Sequence, residues 1–275
     1  MKKYSISWVV KMIILFLYRY WKKSAWIVIN QFSENQTMVN GFYMNLRQND
    51  CGISKDLLIE KKREPFYTNL FKKEVSAMVA PVMVDIGANI GYYTLIASKY
   101  CKKIMAFEPD PITCDILSEN IELNDIKNVE TFQLLVGTNS HRRLYVSNQS
   151  NLASCKVKTK KSIMVKSVSL DDFIKEKVDI LRMDVEGDED VVIAGAKVMI
   201  KKYHPIIFIE IHPWITDPRE TLELLLNLGY RKVVAIKSDS CLYSKIGLTT
   251  IERVSLSEFI AGKIIKKQAF ELLIK

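Results

Sequence analysis

The chain has 275 residues, 48% hydrophobic and 26% charged, with 10 Gly and 7 Pro, which excludes disordered, collagen-like and repeat architectures and allows one large domain or two small ones. Five scattered cysteines, Cys51, Cys101, Cys114, Cys155 and Cys241, show no C-x-x-C or Cys/His spacing, which argues against zinc and points to free thiols in a reducing, cytoplasmic compartment. The net charge of +9 sits largely at one end: Lys2, Lys3, Lys11, Arg19, Lys22 and Lys23 all precede the first acid, Glu34, so the body of the protein is only mildly basic.

That same segment holds an apolar stretch over 8–18, interrupted by Lys11. It falls short of the ~20 apolar residues that cross a bilayer. Arg19-Tyr20-Trp21-Lys22-Lys23 follows it, where a signal peptide would carry small residues. Residues 1–35 are therefore set apart as a basic, apolar helical segment that either packs on the domain or lies in a membrane interface. In the second case residues 1–30 make a peripheral contact with an anionic membrane, at its inner face.

Residues 36–80 form a lead-in of short elements at 42–46 and 56–60 and a helix over 67–75. A domain over 81–254 then alternates strands and helices. Strands are expected at 82–86, 103–108, 129–136, 178–184 and 205–212, and helices at 91–99, 188–202 and from Asp217-Pro218 to a stop at Gly229. Asp110 caps and Pro111 opens a further helix running to Asn124. Residues 231–237 and 242–246 suggest a closing antiparallel pair, and Ser255-x-x-Glu258 is a capping box for a C-terminal helix over 255–275. The fold class is α/β: a Rossmann-like, doubly wound, mostly parallel sheet with helices on both faces.

Ligands of such sheets bind beyond the carboxyl ends of the strands. Here those ends read Asp85-Ile86-Gly87-Ala88-Asn89-Ile90-Gly91, Glu108-Pro109-Asp110, Asp184-Val185-Glu186-Gly187 and Glu210-Ile211-His212-Pro213. Glu108 lies 23 positions after Asp85, a spacing that admits a dinucleotide. The turn lacks G-x-G-x-x-G, however, and clustered carboxylates repel a pyrophosphate. S-adenosylmethionine carries an ammonium and a sulfonium and no phosphate, so an acidic rim suits it.

These motifs, together with Phe107-Glu108-Pro109, Ser169-Leu170-Asp171-Asp172-Phe173, Ile180-x-x-Met183-Asp184-Val185-Glu186-Gly187 and Pro205, closely resemble the FkbM-type methyltransferases from about Asp56 to Lys237. The resemblance implies a class I methyltransferase fold, S-adenosylmethionine as cofactor, and O-methylation of a hydroxyl on a small molecule, sugar, glycan, lipid-linked or secondary-metabolite acceptor. Asp188 departs from the small residue common after Glu-Gly in that family.

Each role has a physical argument. Gly87 and Gly91 would let the backbone approach the cofactor where a Cβ collides, with Ala88 in the same turn. Asp85 would hold the methionine ammonium directly or through water, and Asn89 would fix the turn or a water on the cofactor carboxylate. Tyr92 stands at the helix start, to line the pocket or to pack. Glu108, beside Pro109, would accept both ribose hydroxyls, and adenine would lie near Val136. Asp184 would lie beside the cofactor. With His212 and Glu186 it is also a candidate general base, Asp184 and His212 being favoured and Glu186 more structural. Helix capping explains the Asp184, Glu186 and Asp188 carboxylates better than a metal does, so no metal is assigned. Three rivals remain: an NAD-dependent oxidoreductase, a non-catalytic binding module, and a nucleic-acid methyltransferase using the basic stretch 156–161, which reads better as a solvated face. No nucleic-acid partner is expected.

Overall fold

A computed structural model describes residues 8–32, 35–50, 52–147, 153–237, 249–262 and 270–275. Helix α1 (Trp8–Phe32) comes first, followed by a hairpin of β1 (Gln36–Val39) and β2 (Phe42–Asn45). Asn40 and Gly41 turn the hairpin with φ of 54° and 79°, the left-handed pair that a two-residue connection needs. Helices α2 (Ile53–Glu60) and α3 (Pro65–Ser76) lead into β3 (Val82–Ile86), α4 (Tyr92–Ser98), β4 (Lys103–Phe107), α5 (Pro111–Leu123) and β5 (Val129–Phe132). Next come β6 (Leu135–Val136), β7 (Ser140–Val146), β8 (Ala153–Ser154), β9 (Lys161–Val168) and α6 (Leu170–Phe173). The second half contains β10 (Ile180–Met183), α7 (Glu189–Gly195), α8 (Lys197–Tyr203), β11 (Ile206–Ile211), α9 (Pro218–Asn227), β12 (Lys232–Lys237), β13 (Thr250–Ser255), α10 (Leu256–Ala261) and β14 (Phe270–Ile274).

Eight strands form one sheet in the order β13-β12-β14-β11-β10-β3-β4-β5. The run from β11 to β5 is parallel, and β14 enters antiparallel between β11 and β12. Strand order reverses between β3 and β10, so the crevice for a ligand opens at their carboxyl ends. Successive strand residues point to opposite faces. Val84, Met105, Leu181 and Ile207 pack in one core with α7 to α10; Met83, Ile104, Ile180 and Phe208 pack in the other with α3, α4 and β2.

The Rossmann-like doubly wound fold is present, with several local differences from the sequence reading. The strand expected over 129–136 is two strands in different sheets, because the chain turns at Leu134, whose N–H donates to the Phe132 carbonyl at 2.8 Å. The helix expected over 188–202 breaks at Ala196. A Cβ on Gly195 would stand 2.0 Å from the Gly137 carbonyl, and Asp171 accepts from the Val198 and Met199 N–H groups, starting a fresh helix. Residues 56–60 belong to helix α2. The partner of β12 is β13 rather than 242–246, which lies outside the described residues.

The capping box at Ser255 and Glu258 is present, yet the C-terminal helix spans only Leu256–Ala261. Every residue of Phe270–Ile274 is buried, the pattern of a central strand rather than of an amphipathic helix. The four-stranded sheet β6-β9-β7-β8 was not anticipated. Cys101, Cys114 and Cys155 are free thiols, while Cys51 and Cys241 lie outside the described residues. Among the described residues no helix is long and apolar enough to cross a membrane.

Candidate active site

The turn from β3 to α4 is shaped by the protein's own packing. Gly87 has φ +71°, and a Cβ there would meet the Asp184 carbonyl oxygen at 2.0 Å; at Gly91, with φ +94°, it would meet Leu117 Cδ1 at 2.7 Å. The glycines thus serve close approach of protein to protein, and Gly87 also lines the cleft where a cofactor approach is expected. The Gly87 and Ala88 N–H groups both donate to the Phe107 carbonyl, and Ala88 packs against Leu117 in a small apolar cluster. Asn89, at φ 53°, turns its amide N–H onto Glu108 Oε2 at 2.9 Å, while its side-chain oxygen accepts from Ile90 N.

Asp85 is fully buried. Thr94 donates to its Oδ2 at 2.6 Å, and Arg182 lies 3.1 Å from its Oδ1. It does not line the cleft, where a hold on the ammonium, direct or through water, was expected. Its charge instead fixes Arg182, which donates to the Gly87 carbonyl, lies 3.3 Å from Asp184 Oδ2 and stacks over Tyr93 at 4.6 Å. Despite burial, which disfavours its charge, Asp85 and Asp184 hold this guanidinium firmly protonated. Tyr92 also faces away, sharing hydrogen bonds with the Arg63 backbone.

A cleft of about 540 Å³, its open mouth included, is lined by Ile86, Gly87, Asn89, Phe107, Glu108, Pro109, Leu134, Leu135, Val136, Ala153, Asp184, Val185 and Glu186. Of the predicted cofactor residues, Gly87, Asn89, Glu108, Pro109, Val136 and Asp184 meet there, and Asp85, Ala88, Gly91 and Tyr92 stand behind the wall. Glu108 accepts one N–H on each oxygen, from Asn89 and Asp110, leaving lone pairs for a further donor. Burial raises its carboxyl to about 7 in spite of those bonds. Carboxylates at Asp184 and Glu186, an apolar wall at Leu134, Leu135 and Val136, and the free lone pairs of Glu108 fit a ligand with a cationic end and a nucleoside.

Behind the cleft-lining Asp184 and Glu186 stands a charge network. His212 Nδ1 lies 3.3 Å from Glu189 Oε1, and its Nε2 lies 3.4 Å from Glu186 Oε2 and 3.6 Å from Glu210 Oε1. Burial opposes the imidazolium. The Glu189 hydrogen bond and the charges of Glu210, Glu186 and Asp184 outweigh it and push His212 up to about 10. Glu186 is driven by burial to about 7, with His212 pulling down and Asp184 pushing up. Burial likewise raises Glu210 well above the ordinary carboxylate range, reinforced by Asp184 and Glu64. Asp184 stays low although buried, because Arg182, His212 and Arg63 stabilise its charge. Arg63 closes the network 3.7 Å from Glu210.

Asp184, Glu210 and His212 offer ligand atoms within 4.8 Å of one another. Arg182 and Arg63 stand beside the Asp184 and Glu210 carboxylates of this group.

The loop carrying Glu186 is held from outside. Glu186 has φ 51°; Ser154 Oγ donates to its carbonyl, and Lys156 Nζ donates to the Gly187 carbonyl. Asp188 is buried between Arg142, at 3.1 Å, and Lys156, at 3.6 Å, so this departure from the family pattern ties the small sheet to the site. Lys156 is thereby engaged inward rather than as part of a free basic groove.

Sequence reasoning missed Arg182, Arg63 and Glu189. Arg182 carried a signal: a charged residue within an otherwise apolar strand requires buried partners.

The sequence model of the methyltransferase FkbM domain matches residues 85–232. The hexuronic acid methyltransferase AglP of Haloferax volcanii is 31% identical over 151 residues, 52% of this chain and 61% of that protein. A tRNA/tmRNA (uracil-C(5))-methyltransferase of Campylobacter lari is 26% identical over 188 residues, 66% of this chain and 47% of that protein. The chain thus spans less than two thirds of either relative. The crystal structure of methyltransferase FkbM from Methylobacillus flagellatus superposes with a TM-score of 0.45 at 16% identity, covering 71% of this chain and 44% of that one. With over half its residues in that match and the matching motifs gathered at the mouth of the sheet, the chain belongs to the FkbM methyltransferase domain family, and its cofactor is S-adenosylmethionine.

Proposed function

We propose that this methyltransferase acts on a hydroxyl oxygen, and that the acceptor is a sugar or glycan. The observation that carries this reading is the place of Glu186, whose carboxylate lines the cleft 3.4 Å from His212 Nε2 and is pushed up to about 7 by burial. Moving a methyl group to a hydroxyl requires a proton to leave the oxygen, and a base matched to ambient pH takes it best. The similarity to a protein named as a hexuronic acid methyltransferase supports a sugar acceptor.

S-adenosylmethionine, when bound, supplies an already activated methyl group on a sulfonium. Glu108 accepts the ribose hydroxyls, Val136 and Leu134 flank the adenine, and Asp184, kept anionic by Arg182, takes the ammonium. Glu186 Oε receives the acceptor's hydroxyl proton. His212, an imidazolium at neutral pH, cannot accept one; it and Glu189 orient Glu186. Asp184, held below the usual carboxylate range, is the weaker base. Alignment of acceptor and donor supplies on the order of 7–11 kcal/mol of the barrier reduction.

The test is incubation of the protein with methyl-labelled S-adenosylmethionine and, separately, uronate-containing oligosaccharides and tRNA. Label in an O-methyl sugar is expected. Label in RNA, or on carbon or nitrogen of any acceptor, would overturn the reading.

A further inference from the structure

Helix α1 turns Tyr18 and Lys22 toward the protein and a run of apolar side chains toward solvent. Lys22 pairs with Asp56 at 2.7 Å and with Glu60, Tyr18 donates to Glu60, and Trp26 is buried. On the opposite side Ile13, Phe16, Leu17, Tyr20 and Trp21 are exposed, Phe16 at 72% and Tyr20 at 70%. At about 100° per residue these five occupy one continuous arc of roughly 140°. The exposed Arg19 and Lys23 border that arc beside Phe16. A soluble surface helix has the reverse arrangement, so this face is built to be covered.

The charge pattern selects what covers it. The segment before Glu34 carries six positive charges and no acid, so a second copy docked face to face would bring like charges together. An anionic bilayer complements them, and aromatic side chains such as Tyr20 and Trp21 suit the headgroup level. We infer that α1 lies in the interface of an anionic membrane, strapped to the enzyme through Lys22 and Tyr18.

The strap reaches the active site. Glu60, which holds α1, ends α2 only three positions before Arg63, whose guanidinium lies 3.7 Å from Glu210 at the acceptor side of the cleft. Membrane docking would hold the enzyme at the lipid surface, where an acceptor carried on a lipid would be met. This last step rests on the acceptor reading proposed above, whereas lipid binding stands apart from it.

The test is flotation of the full chain with vesicles of phosphatidylcholine mixed with phosphatidylglycerol and with vesicles of phosphatidylcholine alone, beside the double variant Phe16→Glu, Trp21→Glu. Circular dichroism and calorimetric binding of S-adenosylmethionine report whether that variant keeps its fold and its cofactor site, so failure of docking is separable from failure of the methyltransferase reading. The wild type should float with the anionic vesicles at low salt and release as salt rises. The variant should partition at least about tenfold less while binding cofactor unchanged. Arg19→Ser with Lys23→Ser should weaken flotation on anionic vesicles alone. Equal partitioning of wild type and the Phe16, Trp21 variant overturns the inference. So does a wild-type dimer in light scattering that this variant splits while neither protein binds vesicles.

Discussion

The two sides of the cleft, which we assign to the cofactor and to the acceptor, are built on different physics. On the cofactor side, position is fixed by backbone: Gly87 against the Asp184 carbonyl, and two N–H groups on Glu108. On the acceptor side, position and protonation are fixed by mutual charge among Asp184, Glu186, Glu189, Glu210, His212 and Arg63. The first side should respond to lost contacts and to the titration of one carboxyl, Glu108, near 7, and the second should respond to pH through several interacting groups. Arg182, buried between Asp85 and Asp184, ties the two sides together.

The largest effect should come from the acceptor side. Glu186→Gln is expected to slow methyl transfer by about 10²–10⁴-fold with cofactor affinity unchanged. Wild-type single-turnover rates should rise with pH through about 7 as the carboxylate loses its proton. A Gln variant at half the wild-type rate, or a flat pH profile, would move the base elsewhere.

Arg182→Met strands the buried charge of Asp85 and should cost about 3–5 kcal/mol in denaturant unfolding. Adding Asp85→Asn to that variant should recover part of the loss. If the double change is no better than the single one, the two sides are not joined through this pair.

Glu108→Ala should weaken S-adenosylmethionine binding tenfold or more, about 1.4 kcal/mol, while the protein stays folded. Calorimetry showing unchanged affinity would refute the ribose role.

The last effect is spread over pH rather than read at one value. His212 is raised from 6.5 to about 10 in the folded chain. Its contribution to stability is therefore fully present below pH 6.5 and is lost as pH rises through about 10, by at most about 1.4 kcal/mol per pH unit. His212→Gln should flatten thermal stability across that window. A slope that survives the substitution would assign the titration to another group.

Much of the cofactor side was legible in sequence, because Gly87, Asn89 and Glu108 sit in one short turn and one strand end, where local spacing carries the geometry. The acceptor side was legible only in its acids. Asp184, Glu186 and His212 end their strands as read, but the charge of His212 depends on Glu189, 23 residues away. No local pattern announced the grip of Ser154 and Lys156 on the Glu186 loop. The sheet followed from its apolar runs until β14, whose Phe270–Ile274 resembles a helix segment as readily as a strand because both of its faces are buried.

That strand also constrains how the molecule is made. Five residues synthesised after all the other described elements fill a gap between β11 and β12, pairing from Ile207↔Ile274 to Ile211↔Phe270 on one side and from Val233↔Ile274 to Lys237↔Phe270 on the other. A nascent chain still inside the ribosome tunnel at that point presents two unsatisfied strand edges, a template for mispairing. Closure of the sheet must wait until Phe270–Ile274 has been made and has left the ribosome.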